Sequence, residues 1–140
     1  MKSPGMVQIR DLMTAKPVTV DLDTPVLEAR QIMLGKRIRH LLVTDGSKLA
    51  GMVTDRDIRL NLPSPATSLS VWEINYLLAR LTVESVMTKA LVTISPGWDP
   101  RDAAVLMLDH RIGALPVVDN GQLAGIITET DLLRAFVKTA

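Results

Sequence analysis

The chain has 140 residues, 47% of them apolar and 22% charged, with 16 basic residues against 15 acidic ones. This is the composition of a folded globular protein, and a net charge of +1 gives no global attraction to nucleic acid or to an anionic membrane. Cysteine is absent, which excludes disulfides, thiolate catalysis and Cys-based zinc sites; the only histidines are His40 and His110, and no run approaches the roughly 20 apolar residues of a membrane span. A cytoplasmic protein is the expectation.

Val18-Thr19-Val20 reads as a short β-branched strand. Thr24-Pro25 reads as an N-cap and an N1 proline opening a helix, whose apolar positions Val26, Ala29, Ile32 and Met33 keep helical spacing. Leu41 to Thr44 is a buried strand, Asp45-Gly46 a hairpin turn signal with three or so loop residues expected, and Leu49 to Val53 the returning strand. Thr54 then caps a short helix running to about Leu60. Pro63-Ser64-Pro65-Ala66-Thr67 breaks the chain as a loop, and Ser70-Val71-Trp72-Glu73 is a capping box before a helix with Trp72, Leu77, Leu78 and Leu81 on its apolar face. That helix reads either as a linker packed on its neighbours or as a dimer contact, since Trp and Tyr favour interfaces. The order then repeats: strand 92–94, helix from about Pro100 to His110, strand 115–118, turn Asn120-Gly121, strand 123–127 and a helix from Glu129.

The repetition is one of residues as well as of elements. Met13-Thr14 recurs as Met87-Thr88, Arg37-Ile38 as Arg111-Ile112, Leu49-Ala50-Gly51 as Leu123-Ala124-Gly125, and Thr54 and Asp57 as Thr128 and Asp131, all at one ungapped offset of 74. Between Val7 and Leu62, 17 positions match identically. The chain is therefore a duplication: repeat 1 at 7–62, a linker with a helix at 63–80, and repeat 2 at 81–138. A β-α-β-β-α unit of about 55 residues with one exposed sheet face is marginal alone. The expected fold is α/β (α+β), two tandem β-α-β-β-α repeats packed sheet to sheet as a pseudo-twofold pair.

Thr54-Asp55-Arg56-Asp57 lies where a strand ends and a helix begins. Unpaired amides and positive partial charge at a helix start can receive a phosphate. The Thr54 hydroxyl can donate to the same anion, Arg56 can clamp it, and Asp57, one turn in, suits a ribose diol. The same spacing is also a capping box that needs no ligand. Repeat 1 carries Arg39-His40 before its central strand where repeat 2 has Gly113-Ala114, and Arg56 where repeat 2 has Thr130. Cationic phosphate contacts are thus richer in repeat 1's own motifs, and which cleft gains Arg39 is open; His40 is either one of them or a surface histidine at the strand edge.

Asp11-Leu12-Met13-Thr14, Val18-Thr19-Val20, Ile38-Arg39-His40-Leu41 and Gly51-Met52-Val53-Thr54-Asp55-Arg56-Asp57 resemble a cystathionine-β-synthase (CBS) domain. Val86-Met87-Thr88, Ile112 to Asp119 and Gly125 to Asp131 resemble a second one, so the resemblance covers nearly the whole chain. The linker 62–67 with Trp72 to Leu78 is similar to that of bacterial CBS-pair proteins of the acetoin-utilisation type. The resemblance implies a regulatory module that binds AMP, ADP, ATP, S-adenosylmethionine or a related adenosine compound in clefts between the copies, with no obligatory cofactor. It assigns Thr54 and Thr128 to phosphate and Asp57 and Asp131 to ribose. It matches Val18, Val20, Val92 and Ile94 to an adenine slot that Ile38 and Ile112 could close; each of these is equally a core residue. It also implies a homodimer, and an effector protein whose identity is open because no effector domain is present in this sequence.

Two other classes stand beside this reading. One is a scaffold or interaction protein with degenerate, non-binding clefts, favoured by Gly113-Ala114. The other is an enzyme, against which no nucleophile is set beside an oriented base and no metal constellation is visible. Nucleic-acid binding has no basic stripe or stacking aromatics behind it, aromatics being 3% of the chain.

Overall fold

Each repeat is organised around a tight β-hairpin, and the two hairpins turn differently. The computed structural model describes residues 6–61 and 69–139. In chain order the elements are α1 (Ile9–Leu12), β1 (Thr14–Ala15), β2 (Thr19–Asp21), α2 (Val26–Lys36), β3 (His40–Asp45), β4 (Lys48–Thr54), α3 (Asp55–Leu60), α4 (Val71–Arg80), α5 (Val83–Val86), α6 (Pro100–His110), β5 (Ala114–Asp119), β6 (Gln122–Thr128) and α7 (Glu129–Thr139). The β3–β4 turn puts only Gly46 at positive φ (65°), the pattern of a type II′ turn. The β5–β6 turn puts both Asn120 (52°) and Gly121 (79°) there, the pattern of type I′. Both hairpins carry a bulge at the same place, between Val43 and Thr44 and between Val117 and Val118. The proline-rich loop expected at 63–67 lies outside the described residues.

The chain packs as two units, Val18–Ala90 and Met1–Pro17 with Leu91–Ala140, so the first residues of each repeat belong to the unit built on the other. In the Val18–Ala90 unit, β2 pairs parallel with β3, and β3 antiparallel with β4. Val20, Val26, Ala29, Met33, Leu41, Val43, Val53, Ile58, Leu78 and Val83 form its core. In the other unit β1 pairs with β6 and β6 with β5, over a core of Ile9, Ile94, Ala103, Met107, Leu115, Val117 and Ile127. Fully burying such side chains stabilises by about 1.5–3 kcal/mol each.

A glycine makes each of these joins possible. Thr88 exchanges two backbone hydrogen bonds with Met52 (2.9 and 3.0 Å) beside Gly51. A Cβ on Gly51 would stand 2.6 Å from the Met87 sulfur and 2.9 Å from the Thr88 carbonyl. In the other unit a Cβ on Gly125 would stand 2.6 Å from the Thr14 carbonyl and 2.8 Å from the Met13 sulfur. The repeated Met-Thr and Ala-Gly pairs of the sequence therefore touch crosswise.

Three local expectations are corrected. Val92-Thr93-Ile94 is not a strand but a single parallel bridge, Ile94 to Val117. Ile94 donates to the Pro116 carbonyl (3.1 Å) and accepts from Val118 (2.8 Å). Pro116 turns its nitrogen to the same side but has no N–H for Val92, whereas repeat 1 has Leu42 there and keeps a three-residue strand. Pro25, not Thr24, is the N-cap of α2, because the Val26 amide is tied to the Leu81 carbonyl (2.7 Å) and Val83 to Thr24 (2.8 Å), which holds Pro25 extended. In α6 the proline does stand inside the helix start, behind an Asp99 cap whose side chain accepts from Arg101 N–H at 2.9 Å. Finally, α4 packs through Ile74, Leu78 and Leu81, spaced i, i+4, i+7. Trp72 and Leu77, expected on that face, are 84% and 42% exposed.

Candidate functional site

The candidate site of repeat 1 is assembled by the register of its hairpin. His40 at the start of β3 stands opposite Thr54 at the end of β4. The Arg39 carbonyl accepts the Asp55 amide at 3.1 Å, which places Arg39, His40, Thr54 and the first turn of α3 side by side. Thr54 and Asp57 form the expected capping box: Thr54 N–H donates to Asp57 Oδ2 (2.9 Å) and Asp57 N–H to Thr54 Oγ1 (3.1 Å). Both residues are half-buried, while Arg39 and Arg56 are exposed. Asn61 closes the far end of α3 by donating to the Asp57 carbonyl at 2.8 Å.

These bonds limit what the helix start can receive. The amides of Thr54, Asp55 and Asp57 are taken by Asp57, Arg39 and Thr54, which leaves only that of Arg56. An anion near α3 would therefore depend mainly on side chains, for which the exposed Arg39 and Arg56 and the Thr54 hydroxyl are the candidates. The second carboxylate oxygen of Asp57 has no partner among the described residues.

Repeat 2 has the same backbone and different chemistry. Glu129 N–H donates to the Gly113 carbonyl at 3.0 Å, and Thr128 and Asp131 exchange the same two capping bonds at 2.9 and 3.3 Å. Here the Thr128 hydroxyl also donates to Asp131 Oδ2 (3.0 Å), and Arg134 Nη1 lies 3.7 Å from Asp131 Oδ1. Gly113 and a fully buried Ala114 replace Arg39-His40. Sequence reasoning missed Arg134. Its signal was available: Asp131 and Arg134 are spaced i, i+3 on a helix, and the matching position of repeat 1 is Leu60.

The apolar residues read as an adenine slot divide by burial. Val20 and Ile94 retain 8% and 3% exposure and belong to the two core clusters. Val18 and Ile38 in one unit, and Val92 and Ile112 in the other, are half-buried at the edge of those clusters and keep surface to offer a ligand.

Comparison with known proteins agrees with this architecture. The CBS domain family model matches residues 9–64 and again 83–138. CBS domain-containing protein YhcV of Bacillus subtilis is 32% identical over 127 residues, covering 91% of this chain and 84% of the relative. A crystal structure ascribed to an acetoin utilization protein (AcuB) from Vibrio cholerae superposes with a TM-score of 0.79 at 28% identity, over 96% of this chain and 93% of that one. The CBS domain pair of protein MJ0100, solved with 5′-methylthioadenosine and S-adenosyl-L-methionine, gives 0.78 at 25% identity, over 96% and 98%. CBSX2, solved with AMP, gives 0.76 at 28% identity, over 94% and 97%. The chain belongs to the CBS domain family, as a tandem pair of CBS domains.

Proposed function

We propose that this chain is a regulatory sensor that reversibly binds an adenosine-containing ligand and, as a cytoplasmic homodimer, passes its occupancy to a partner protein. The observation that carries the reading is Asp57. It is fixed by Thr54, keeps one carboxylate oxygen for a ribose diol, and stands beside Arg39 and Arg56. Solved CBS pairs similar to this chain hold AMP, 5′-methylthioadenosine or S-adenosylmethionine. Val18 and Ile38 supply apolar edge for a base. The family's regulatory character supports a binding role over catalysis. Signalling requires that the ligand prefer one of two conformations, since equal affinity shifts nothing. Exposed apolar side chains on helices, Leu34 on α2 and Leu108 on α6 among them, support a dimer.

A different reading is favoured for repeat 2 by its own geometry. Asp131 accepts the Thr128 hydroxyl and has Arg134 at 3.7 Å from its other oxygen, which favours a structural cap there. The test is thermal unfolding against AMP, ADP, ATP and S-adenosylmethionine, with guanosine nucleotides as controls. A ligand at about 100 times its dissociation constant adds roughly 2.7 kcal/mol of stability. We expect a shift with an adenosine compound that Asp57→Ala abolishes and Asp131→Ala leaves in place. A flat panel at millimolar ligand would replace the sensor by a scaffold.

A further inference from the structure

The helices that follow the two capping boxes differ by a transposition. Repeat 1 ends α3 with Arg59-Leu60, and the matched positions of repeat 2 read Leu133-Arg134. The two residue types and their charge are the same; only the order is reversed. Order matters on a helix, where each residue turns the side chain by about 100°. A residue three positions after an aspartate stands about 60° from it, one turn on, and can pair with it; a residue two positions after it stands about 160° away and cannot. Arg134 accordingly lies 3.7 Å from Asp131 Oδ1. Arg59 forms no ion pair among the described residues, and the position that could reach Asp57 holds Leu60. Helix ends account for one of the two placements only. Arg59 is in the last turn of α3, where a cation complements the helix dipole, whereas Arg134 is midway along α7.

We infer that the residue three positions after each capping-box aspartate sets how well that aspartate can hold a ribose diol: Leu60 leaves Asp57 open, and Arg134 competes for Asp131. In both copies Oδ2 is engaged by the cap, so Oδ1 is the acceptor left for a diol. In repeat 1 nothing among the described residues contends for it. In repeat 2 a diol has to displace or share a guanidinium. Arg134 is 62% exposed, so the competition is a matter of a few-fold in affinity and not of steric exclusion. Arg134 is therefore a specificity-determining residue that acts through Asp131. The inference rests on the adenosine-sensing reading above and names one position that biases it toward repeat 1.

The experiment is calorimetric titration of the full chain with adenosine and with 2′,3′-dideoxyadenosine, which lacks the diol. The ratio of the two affinities reads the contact between aspartate and diol and cancels changes that affect both ligands alike. In the wild type the ratio is about tenfold or more, as hydrogen bonds to a charged group give. Arg59→Leu alone leaves it unchanged. Arg59→Leu with Leu60→Arg gives repeat 1 the order of repeat 2 at constant charge, and lowers the ratio by up to about fivefold, the most an exposed ion pair contributes. Raising the salt concentration recovers it, which a purely structural disturbance would not do. Arg59 and Leu60 are both exposed, so the exchange leaves the core intact, and Arg59→Leu with Leu60→Lys gives the same fall by a different side chain. In the converse arm, Arg134→Leu on an Asp57→Ala background strengthens adenosine binding by the same few-fold and leaves the dideoxy compound as it was. A wild type that binds neither compound, or binds both equally, overturns the Asp57 reading and this inference together. A wild-type ratio that survives the transposition overturns the inference alone, as does a fall that Arg59→Leu reproduces by itself. No gain from Arg134→Leu removes the role assigned to that arginine.

Discussion

The two repeats superimpose in numbering and diverge in commitment. Both place a threonine and an aspartate at the same strand-to-helix junction and bind them by the same two capping bonds. In repeat 1 the pair stops there, next to Arg39 and Arg56. In repeat 2 the threonine proton and the second carboxylate oxygen turn toward groups of the same helix turn, Asp131 and Arg134. A cap needs only the first two bonds; what is left over decides whether a junction can also meet a ligand. A shared motif is therefore evidence of a shared scaffold, and the function of each copy has to be read from the groups around it.

The largest effect we expect comes from breaking what the copies share. Gly51→Ala and Gly125→Ala each push a Cβ into a backbone carbonyl and a methionine sulfur. Each should destabilise by about 1–3 kcal/mol, as overpacking does, seen as a lower denaturation midpoint at unchanged slope. The flexible methionines can move aside but the carbonyls cannot. Trimming Met13 or Met87 should therefore rescue only part of the loss. The next effect sharpens the difference. Arg39→Gly with Arg56→Thr gives repeat 1 the residues of repeat 2. AMP affinity, by calorimetry, should fall by about tenfold while adenosine affinity stays level, because a charge-assisted contact to phosphate is the term removed. Equal losses for both ligands would show that the arginines do not discriminate.

Much of this was legible in the sequence, for a physical reason. Capping boxes, turn residues and helical spacing act within one turn of chain, so Thr54–Asp57, Ser70–Glu73 and Asn120-Gly121 all form where the residues indicate; the Asp45-Gly46 signal also marks a hairpin, but its turn is the two residues Gly46-Ser47 rather than three or so, with Asp45 paired to Lys48 in the strand. What was not legible depends on partners distant in sequence. Nothing near Gly51 says that Met87-Thr88 will lie on it, and nothing near Val92 says that a proline 24 residues on will withhold the bond a strand needs. The sequence places Trp72 on one apolar face with Leu77, Leu78 and Leu81; its actual direction depends on which side of α4 meets α2, and Ile74 and Leu78 fix that. Arg134 is the exception: its signal is local, and it lies at a position where the two repeats differ, opposite Leu60.

Arg37 and Arg111 test a feature that both copies share without evident need. They end α2 and α6 at φ 55°, a left-handed conformation that a side chain resists and glycine accepts. Arg37→Gly and Arg111→Gly should each stabilise by up to about 1 kcal/mol in thermal unfolding, offset in part by the greater freedom of glycine in the unfolded chain. A loss at one site and not the other would assign that arginine a contact of its own.

The smallest effect probes the strand that repeat 2 lacks. Pro116→Leu supplies an N–H toward Val92, as Leu42 does for repeat 1. One added hydrogen bond contributes about 0.5–1.5 kcal/mol, and the larger side chain in a fully buried position takes back part of it. The net change in stability should be small, and hydrogen exchange is the decisive readout: the new amide at 116 and that of Ile94 should become protected together. The reverse change is not its mirror image. Leu42→Pro removes a bond from the central strand of a three-stranded sheet that repeat 1 uses fully, and should cost more than Pro116→Leu contributes. If both changes were equal and opposite, the proline would be a local substitution of one bond. If Leu42→Pro costs several times more, β2 holds its unit together in a way that the bridge at Ile94 does not.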